Sequence, residues 1–322
     1  MNAIPTEPFK VAVAQIASNP TDTEASIRKV ADTMLKAAAE NARLIVFPEA
    51  VIGGYPKGAS FGAPIGVRKP EGREAFAQYF ESAVDLNSEA LDPLIDACAE
   101  TGIVAVVGVI ERGGATLYCT ALYIDGAKGI VGKHRKLMPT AGERLIWGFG
   151  DGSTLEAVQT DLGVVGAVIC WENYMPALRM HMFDQGVTLY CAPTADDRDS
   201  WLPSMRHIAL EGRCYVLTAC QYITRAAYSE AHESALGDSP ETVMMRGGSA
   251  IVSPLGEVLA GPDFDSETLL YAYVEPGKVA EGKFDFDVTG HYARPDVFAL
   301  HVNTALRNAV TATPWGERDN AL

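Results

Sequence analysis

Two apolar runs in this sequence end close to side chains that can do chemistry. Cys170 follows directly on Gly163–Ile169, and Glu49 comes two residues after Arg43–Phe47. A thiol in such a place can act as a nucleophile, and a carboxylate with a pKa raised by burial can act as its base. Each also has an ordinary alternative. Cys170 alone could be a buried structural cysteine, and Glu49 alone could cap a helix or join an ion pair.

The segment around Cys170 predicts a strand followed by a helix. The run before it is apolar and β-branched, and Pro176 suits the first turn of a helix because its missing N–H is not needed there. Backbone N–H groups and the positive end of a helix dipole at such a joint favour the thiolate. The segment alone leaves a nucleophile and a structural cysteine equally open.

A third segment, Gly132–Pro139, is basic and contains Lys136. It follows a predicted hairpin that turns at Asp125 and Gly126. By itself, a basic run most often marks a solvated face. Lys136 therefore becomes a candidate for chemistry only in combination with the other two segments.

Strands and helices are predicted to alternate along the chain, which indicates an α/β fold. Lys10–Ile16 is predicted as the first strand, and Thr21 with Glu24 as a capping box for the helix that follows. A Gly- and Pro-rich loop is predicted over about Gly53–Gly72, and Gly102 is predicted to end the next helix. Two strand–helix halves, one with a strand that leads to Glu49 and the other with a strand that leads to Cys170, indicate two packed sheets with helices outside.

The composition agrees with that of an ordinary globular protein. The chain has 322 residues, of which 48% are hydrophobic and 21% charged, enough to bury a large core. A net charge of −15 argues against nucleic acid or an anionic membrane as a partner. No apolar stretch is long enough to span a bilayer, and the polar start is unlike a signal peptide. We therefore expect a soluble, cytoplasmic protein.

The cysteines are predicted to be free thiols in a reducing cytoplasm, because they lie mostly in apolar runs without the paired spacing of metal ligands. They are Cys98, Cys119, Cys170, Cys191, Cys214 and Cys220. No Cys or His cluster offers four convergent ligands for zinc. We therefore expect neither a metal nor a cofactor.

Taken together, these segments resemble the nitrilases, the nitrile-hydrolysing branch of the carbon–nitrogen hydrolase superfamily with its Glu–Lys–Cys triad. The resemblance runs from about Phe9 to about Asn303, with no departure at the triad positions. Cys-Trp-Glu-Asn is quite specific, because amidase relatives usually carry other residues after the cysteine. The matching stretches are Phe47–Ala50, His134–Thr140, Glu143–Gly152, Cys170–Asn173, Arg206–Arg213, Gly247–Ser249 and Gly290–Pro295.

The resemblance implies a fold and an assembly. The fold is a four-layer α-β-β-α sandwich of the nitrilase superfamily. One carbon–nitrogen hydrolase domain is expected over residues 1–305, followed by a flexible C-terminal tail over residues 306–322. The family resemblance also implies a homo-oligomer, a dimer or larger, up to a spiral filament.

For the site, the resemblance implies that Cys170 attacks the substrate and that Glu49 is the general base. Lys136 is implied to stabilise the tetrahedral intermediates, together with the backbone N–H that follows the cysteine. Glu143 is implied as a second carboxylate beside the lysine, with an ion pair to Arg144 as its ordinary alternative. The side chains expected to bind substrate are Tyr55, Thr140, Trp171 and Asn173.

The implied reaction is hydrolysis of an organic nitrile to the carboxylic acid and ammonia, through a thioimidate and a thioester acyl-enzyme. An amidase or N-carbamoyl hydrolase would use the same triad on a C–N single bond, and a binding protein that kept the fold is an alternative of another class. Gly53–Gly62 and Ala192–Trp201 are expected to shape the pocket, and their side chains fit aromatic and aliphatic nitriles alike. The likeness of Gly53–Gly62 and Gly66–Phe76 to nitrilases that take arylaliphatic or functionalised nitriles favours those substrates.

Overall fold

Two mixed β-sheets form the centre of the molecule. The computed structural model describes residues 6–307 and residue 310. Within them, the strands are β1 (Phe9–Gln15), β2 (Ala42–Val46), β3 (Val104–Gly113), β4 (Thr116–Asp125), β5 (Gly129–Arg135), β6 (Val158–Thr160), β7 (Gly163–Ala167), β8 (Leu189–Thr194), β9 (Tyr215–Cys220), β10 (Tyr222–Thr224), β11 (Val243–Arg246), β12 (Ala250–Val252), β13 (Val258–Ala260) and β14 (Thr268–Val274).

The helices lie mostly between strands in the chain order. They are α1 (Thr23–Ala39), α2 (Pro70–Ser82), α3 (Asp92–Thr101), α4 (Pro176–Asp184), α5 (Trp201–Gly212) and α6 (Gly277–Gly282). Short 3-10 helices are found at Glu89–Leu91, Ala141–Leu145, Gly152–Thr154, Cys170–Tyr174 and Arg225–Ala227. The alternation of strands and helices predicted from the sequence is therefore confirmed.

The two large sheets share one plan. In the described part of the chain, one sheet has the order β14-β1-β2-β3-β4-β5 and the other the order β13-β12-β9-β8-β7-β6. Each is parallel in its centre, at β1-β2-β3 and at β7-β8-β9, and antiparallel towards its edges. Strands β10 and β11 form a separate antiparallel pair.

Side-chain alternation along the strands divides the core into layers. In β1, Val11 and Val13 pack between the two sheets, whereas Ala12 and Ala14 pack under α1 and α3. In β8, Leu189 packs between the sheets and Tyr190 packs under α4 and α5. Both faces of each central strand are therefore buried, which is why these runs are almost continuously apolar. The result is the four-layer α-β-β-α sandwich that the family resemblance implies.

The helix ends follow local capping rules, with one correction to the sequence-based expectation. Helix α1 is capped by Asp22, which accepts a hydrogen bond from the Ala25 N–H at 2.8 Å. The predicted capping box at Thr21 is wrong, because the Thr21 hydroxyl donates to Asn19 Oδ1 instead. Gly102 ends α3 in the left-handed conformation with φ 71°, as predicted.

Helix α2 begins inside the segment predicted as a loop, Gly53–Gly72, and continues to Ser82 over residues for which the sequence predicts no element. Pro70 begins it, at the position where a missing N–H costs nothing. Gly72 lies inside the helix because the Phe61 backbone packs against it: an added Cβ would stand 1.9 Å from the Phe61 carbonyl oxygen. Gly72 therefore permits a close approach here and does not end a loop.

Two further expectations concern the ends of the chain and the membrane. The predicted flexible tail, residues 306–322, lies almost entirely outside the described residues, and a single domain over residues 1–305 stays a prediction. Within the described residues, no helix is both long and apolar enough to cross a membrane.

Candidate active site

Three strand ends lie next to the residues that the sequence predicts to be catalytic. Strand β2 ends shortly before Glu49, β5 ends directly before Lys136, and β7 ends shortly before Cys170. Strands β2 and β5 belong to one large sheet and β7 to the other. Residues from both sheets therefore build the site.

Lys136 lies between two carboxylates. Its Nζ is 2.7 Å from Glu49 Oε1 and 2.7 Å from Glu143 Oε2, and the residue is only 1% exposed. Burial alone would lower its pKa, but the surrounding negative charge, that of Glu49 first, raises the pKa of Lys136 well above its usual value. The lysine therefore keeps its positive charge at neutral pH.

Glu49 has one oxygen bound to its partners and the other free. Oε1 accepts hydrogen bonds from Lys136 Nζ at 2.7 Å and from Cys119 Sγ at 3.4 Å. Oε2 is buried and has no hydrogen-bond partner among the described residues. Burial raises the pKa of Glu49, Lys136 lowers it in part, and Glu143 raises it further. A buried carboxylate oxygen without a partner is well placed to take a proton.

The backbone that carries Glu49 is held from both sheets. Gln221, which directly follows β9, donates its side-chain N–H to the Glu49 carbonyl oxygen at 3.1 Å. On the other side, Gly108 of β3 lets the chain approach closely, since an added Cβ would stand 2.2 Å from the Pro48 carbonyl oxygen. Ala50 then takes the left-handed conformation with φ 52°. These contacts fix where the carboxylate points.

Cys170 lies in a strained turn at the start of a 3-10 helix. Its φ is 52°, a conformation that costs a residue with a Cβ on the order of 1 kcal/mol. Burial first, and then the charge of Glu49, raise the pKa of the Cys170 thiol to about 12, although Lys136 opposes this. The expected preference for the thiolate is therefore wrong, because the residue is only 4% exposed and lies among carboxylates. The thiol is protonated at neutral pH and needs a base.

Glu143 is held by two of the residues expected to bind substrate. Tyr55 donates its hydroxyl to Glu143 Oε1 at 2.6 Å, and the Thr140 backbone N–H donates to Oε2 at 2.6 Å. Burial and then the charge of Glu143 raise the pKa of Tyr55 well above its usual value, so the hydroxyl keeps its proton. Arg144 does not pair with Glu143, because its Nε donates to the Pro139 carbonyl oxygen.

Trp171 and Asn173 follow Cys170 in the same 3-10 helix. Trp171 is 41% exposed, and its indole N–H donates to Asp196 at 2.8 Å. Asn173 is buried, and its amide N–H groups donate to the carbonyl oxygens of Val168 and Cys170. Its amide oxygen accepts from Tyr190. The Asn173 side chain thus bonds to the protein itself and holds the turn in shape.

A buried pair, His134 and Glu172, lies beneath the site, where the sequence predicts for His134 only a positioning or surface group. His134 Nε2 lies 2.9 Å from Glu172, and its Nδ1 lies 3.2 Å from the Thr154 carbonyl oxygen. Burial lowers the pKa of His134, but Glu172 more than compensates and raises it, in keeping with two ring nitrogens that both face acceptors. His134 lies in the motif His134–Thr140 and Glu172 in the motif Cys170–Asn173. No other feature of the sequence marks them.

Glu172 joins the two segments that carry the predicted nucleophile and the lysine. Besides His134, its carboxylate accepts hydrogen bonds from the backbone N–H groups of Leu137 and Ile169. Leu137 directly follows Lys136, and Ile169 directly precedes Cys170. A second contact was also not foreseen: Thr194, the last residue of β8, donates its hydroxyl to Cys170 Sγ at 3.2 Å.

A large cavity lies beside this cluster and shares Tyr55 with it. Its volume is about 1270 Å³, and it is lined by the Gly53–Gly62 loop, α2, residues 20–24 and residues 228–233. Neither Cys170 nor Lys136 lines it, and neither does any residue of Ala192–Trp201. Tyr55 therefore stands between the cavity and the carboxylates.

The side-chain geometry of residues 6–307 was compared with what a metal ion requires. In that range, no group of three or more His, Cys, Asp or Glu side chains is arranged to hold a metal ion. The carboxylates near the thiol are bound instead to Lys136, which supplies positive charge within the site.

Comparison with known proteins gives the class first. The family model for carbon–nitrogen hydrolases matches residues 10–284. The chain therefore belongs to the carbon–nitrogen hydrolase family.

Individual relatives then show to which branch of this family the chain belongs. A nitrilase of Bradyrhizobium diazoefficiens is 64% identical over 303 residues, which cover 94% of each chain. An aliphatic nitrilase of Sinorhizobium fredii is 56% identical over 302 residues, 94% of this chain and 98% of that one. An arylacetonitrilase of Trametes versicolor is 50% identical over 83% of this chain and 87% of its own. The chain is an enzyme of the nitrilase branch.

Solved structures agree with the fold. Nit3 of Saccharomyces cerevisiae, a member of branch 10 of the nitrilase superfamily, has a TM-score of 0.67 with this chain at 20% identity. The match covers 89% of this chain and 97% of Nit3. At this identity the likeness establishes the shared fold alone.

Proposed function

We propose that this chain hydrolyses an organic nitrile to the carboxylic acid and ammonia, with Cys170 as the nucleophile. One observation carries the proposal: the Lys136 ammonium lies between the carboxylates of Glu49 and Glu143, and these charges act on a buried thiol. This arrangement provides a nucleophile, a base and a fixed positive charge in one water-poor place.

In the first half of the reaction, the thiol adds across the carbon–nitrogen triple bond. The Sγ–carbon bond forms while Glu49, through its free Oε2, takes the thiol proton and passes it to the nitrile nitrogen. The product of this step is a thioimidate. Lys136 and the Trp171 backbone N–H, which has no hydrogen-bond partner among the described residues, stabilise the negative charge that develops.

In the second half, two waters are consumed. The first adds to the thioimidate carbon, the carbon–nitrogen bond breaks, and ammonia leaves with a proton, so that a thioester remains. Glu49 then activates a second water, which releases the acid and returns the proton to Cys170. If the carbon–sulfur bond broke first, the amide would be the product. The order of these two cleavages sets the ratio of acid to amide.

Tyr55, Thr140 and Trp171 are proposed to face the substrate. Tyr55 and Thr140 both hold Glu143, the carboxylate that we propose to orient substrate or water beside Lys136. Asn173 is proposed to act indirectly, because its hydrogen bond to the Cys170 carbonyl oxygen holds the turn that carries the thiol.

The proposed substrates are arylaliphatic or functionalised aliphatic nitriles. Both an aliphatic nitrilase and an arylacetonitrilase are among the relatives, so the substrate panel includes both classes. The cavity beyond Tyr55, with aromatic side chains such as Phe61 and Tyr79 in its wall, is proposed to take the bulky end of such a substrate, while the nitrile group reaches Cys170 past Tyr55.

The test is ammonia release from aliphatic, arylaliphatic and aromatic nitriles, each measured beside its amide. Wild type is compared with Cys170→Ala and with Cys214→Ala, another buried cysteine that serves as a matched control. We expect nitrile turnover in wild type and Cys214→Ala, and its loss in Cys170→Ala. Acid and amide products are quantified in the same samples.

Each outcome of this test has a definite meaning. Turnover of amides alone would move the chain to the amidase or N-carbamoyl hydrolase alternative. Turnover of nitriles that survives in Cys170→Ala would show that another group is the nucleophile.

We propose that the protein works in the cytoplasm as a homo-oligomer. The described cysteines are all free and buried, which supports a reducing compartment. Residues 284–302 expose several large apolar side chains, among them Phe284, Tyr292 and Phe298, which supports a protein partner such as a second copy. Light scattering that gives the mass of a monomer would contradict self-association.

A further inference from the structure

Thr194 touches the sulfur of Cys170 from the neighbouring strand of the same sheet. It is the last residue of β8, it is fully buried, and its Oγ1 lies 3.2 Å from Cys170 Sγ. Strand β8 pairs in parallel with β7, the strand that leads to the cysteine. The ends of two adjacent parallel strands thus bring the hydroxyl to the thiol.

The Thr194 hydroxyl has one partner for its oxygen and one for its proton. The backbone N–H of Asp196 donates to Thr194 Oγ1 at 2.9 Å, so the oxygen already serves as an acceptor. A hydroxyl has one proton to donate, and Cys170 Sγ is the acceptor that it reaches in the described residues. The threonine therefore donates to the sulfur.

Asp196 is itself anchored next to the cysteine. Its carboxylate accepts from the Trp171 indole N–H at 2.8 Å and from Arg198 Nε at 2.8 Å. Trp171 directly follows Cys170, so the contacts form a closed ring from the cysteine through Trp171, Asp196 and Thr194 back to the sulfur. A closed ring of this kind leaves the hydroxyl little freedom to turn away.

We propose that Thr194 is a further catalytic residue, whose hydroxyl donates to Cys170 Sγ and stabilises the negative sulfur as it forms and again as it leaves the thioester. This role rests on the proposed function of Cys170. A hydrogen bond to an ionised acceptor is stronger than one to a neutral acceptor. The contact therefore gains strength as negative charge builds on the sulfur, which is the requirement for catalysis.

A neighbouring threonine shows what a structural role looks like in the same sheet. Thr218 of β9 is equally buried, but its hydroxyl donates to the Ala192 carbonyl oxygen and accepts from the Trp201 indole N–H. Thr218 has no contact with Cys170. It provides a matched control, because its loss affects packing and backbone bonding without touching the thiol.

The experiment compares Thr194→Val, which keeps the shape and removes the hydroxyl, with Thr194→Ser, which restores it. The first readout is the rate at which iodoacetamide alkylates Cys170 near neutral pH, followed by peptide mass spectrometry. If the thiol pKa rises by about one unit, the thiolate fraction falls tenfold and its nucleophilicity rises about threefold. We therefore expect alkylation to slow by about threefold in Thr194→Val, and to recover in Thr194→Ser.

The second readout is the kinetics of nitrile hydrolysis. We expect kcat to fall by about tenfold or more in Thr194→Val with KM nearly unchanged, because the contact strengthens only as charge develops. Thr194→Ser should return most of the kcat. Thr218→Val should unfold at lower urea concentration than wild type but keep the wild-type alkylation rate. If Thr194→Val fails to fold, Thr194→Ala against Thr194→Ser makes the same comparison.

The proposal is overturned if Thr194→Val reacts with iodoacetamide at the wild-type rate, or if Thr194→Ser is no better than Thr194→Val. Failure of the proposed function is a separate result. Nitrile turnover that persists in Cys170→Ala would remove the cysteine from the reaction, whereas the alkylation rates would still report on the contact between Thr194 and the sulfur.

Discussion

Burial, together with the charges around Lys136, sets the protonation state in which each residue enters the reaction. The lysine stays protonated, the thiol of Cys170 stays neutral because its pKa is raised to about 12, and Glu49 keeps one oxygen unbound. A neutral thiol is a weak nucleophile, so the reaction depends on an ionised Glu49 to take its proton. The protonation state of Glu49 is therefore expected to limit activity in acid.

We predict that kcat/KM for an uncharged nitrile falls in acid with a midpoint above the usual glutamate pKa of about 4.3. Burial raises the pKa of Glu49, and a base works only when ionised, so activity is present above that raised pKa and lost as pH falls through it. The measurement is a pH–rate profile, which reports the coupled cluster as a whole. Samples returned to neutral pH control for unfolding. A midpoint below that of an exposed glutamate would contradict the prediction.

The elements that carry the reactive residues are tied together beneath the site. Glu172 accepts from backbone N–H groups next to Lys136 and next to Cys170, and from His134 of β5. Strand β5 and the turn after β7 belong to different sheets. The carboxylate thus sets the distance between the lysine and the thiol.

We predict that Glu172→Gln lowers both stability and kcat. The glutamine presents an N–H₂ group where the carboxylate faced donors, and a buried donor left without a partner costs about 1–3 kcal/mol. Urea unfolding and nitrile kinetics measure the two effects. Glu156→Gln, at an exposed position, is the control and should leave both unchanged. An unaltered urea midpoint in Glu172→Gln would show that the hydrogen bonds of the Glu172 carboxylate are dispensable for stability.

The whole molecule depends on contacts between its two sheets. Tyr123 of β4 accepts a hydrogen bond on its hydroxyl from the Ala167 backbone N–H of β7 at 2.7 Å. Gln221 of the second half bonds to the Glu49 carbonyl oxygen of the first. Both contacts cross the core close to the reactive residues, so sheet packing and site geometry are coupled.

We predict that Tyr123→Phe destabilises the fold by about 1–3 kcal/mol, because it leaves the buried Ala167 N–H without an acceptor. The measurement is the free energy of unfolding from urea titration. Tyr273→Phe is the matched control, since Tyr273 is 62% exposed and its hydroxyl makes no hydrogen bond in the described residues. Equal stability of Tyr123→Phe and wild type would mean that water or a shift of β7 satisfies the N–H.

Much of this architecture could be predicted from local sequence. Strands buried on both faces are almost continuously apolar, as in Arg43–Phe47, so their positions are visible without a structure. Gly102 ends α3 because a left-handed residue there favours glycine. The candidate residues Glu49, Lys136 and Cys170 stood out because they follow such elements within recognisable motifs. The start of α2 was missed because Gly72 suggests a loop until its contact with Phe61 is known.

The remaining features depend on which strand ends meet in space. Thr194 lies 24 residues from Cys170, Glu172 lies 38 from His134, and Gln221 lies 172 from Glu49. No local pattern marks these pairs, because strand order and register create them. Burial, and then the charge of Glu49, likewise reversed the expected protonation state of the thiol, and both arise from segments that are distant in the sequence. The reactive groups and the strands and helices next to them could thus be recognised in the sequence. The packing of the two sheets determined which residues these groups contact and which protonation states they adopt.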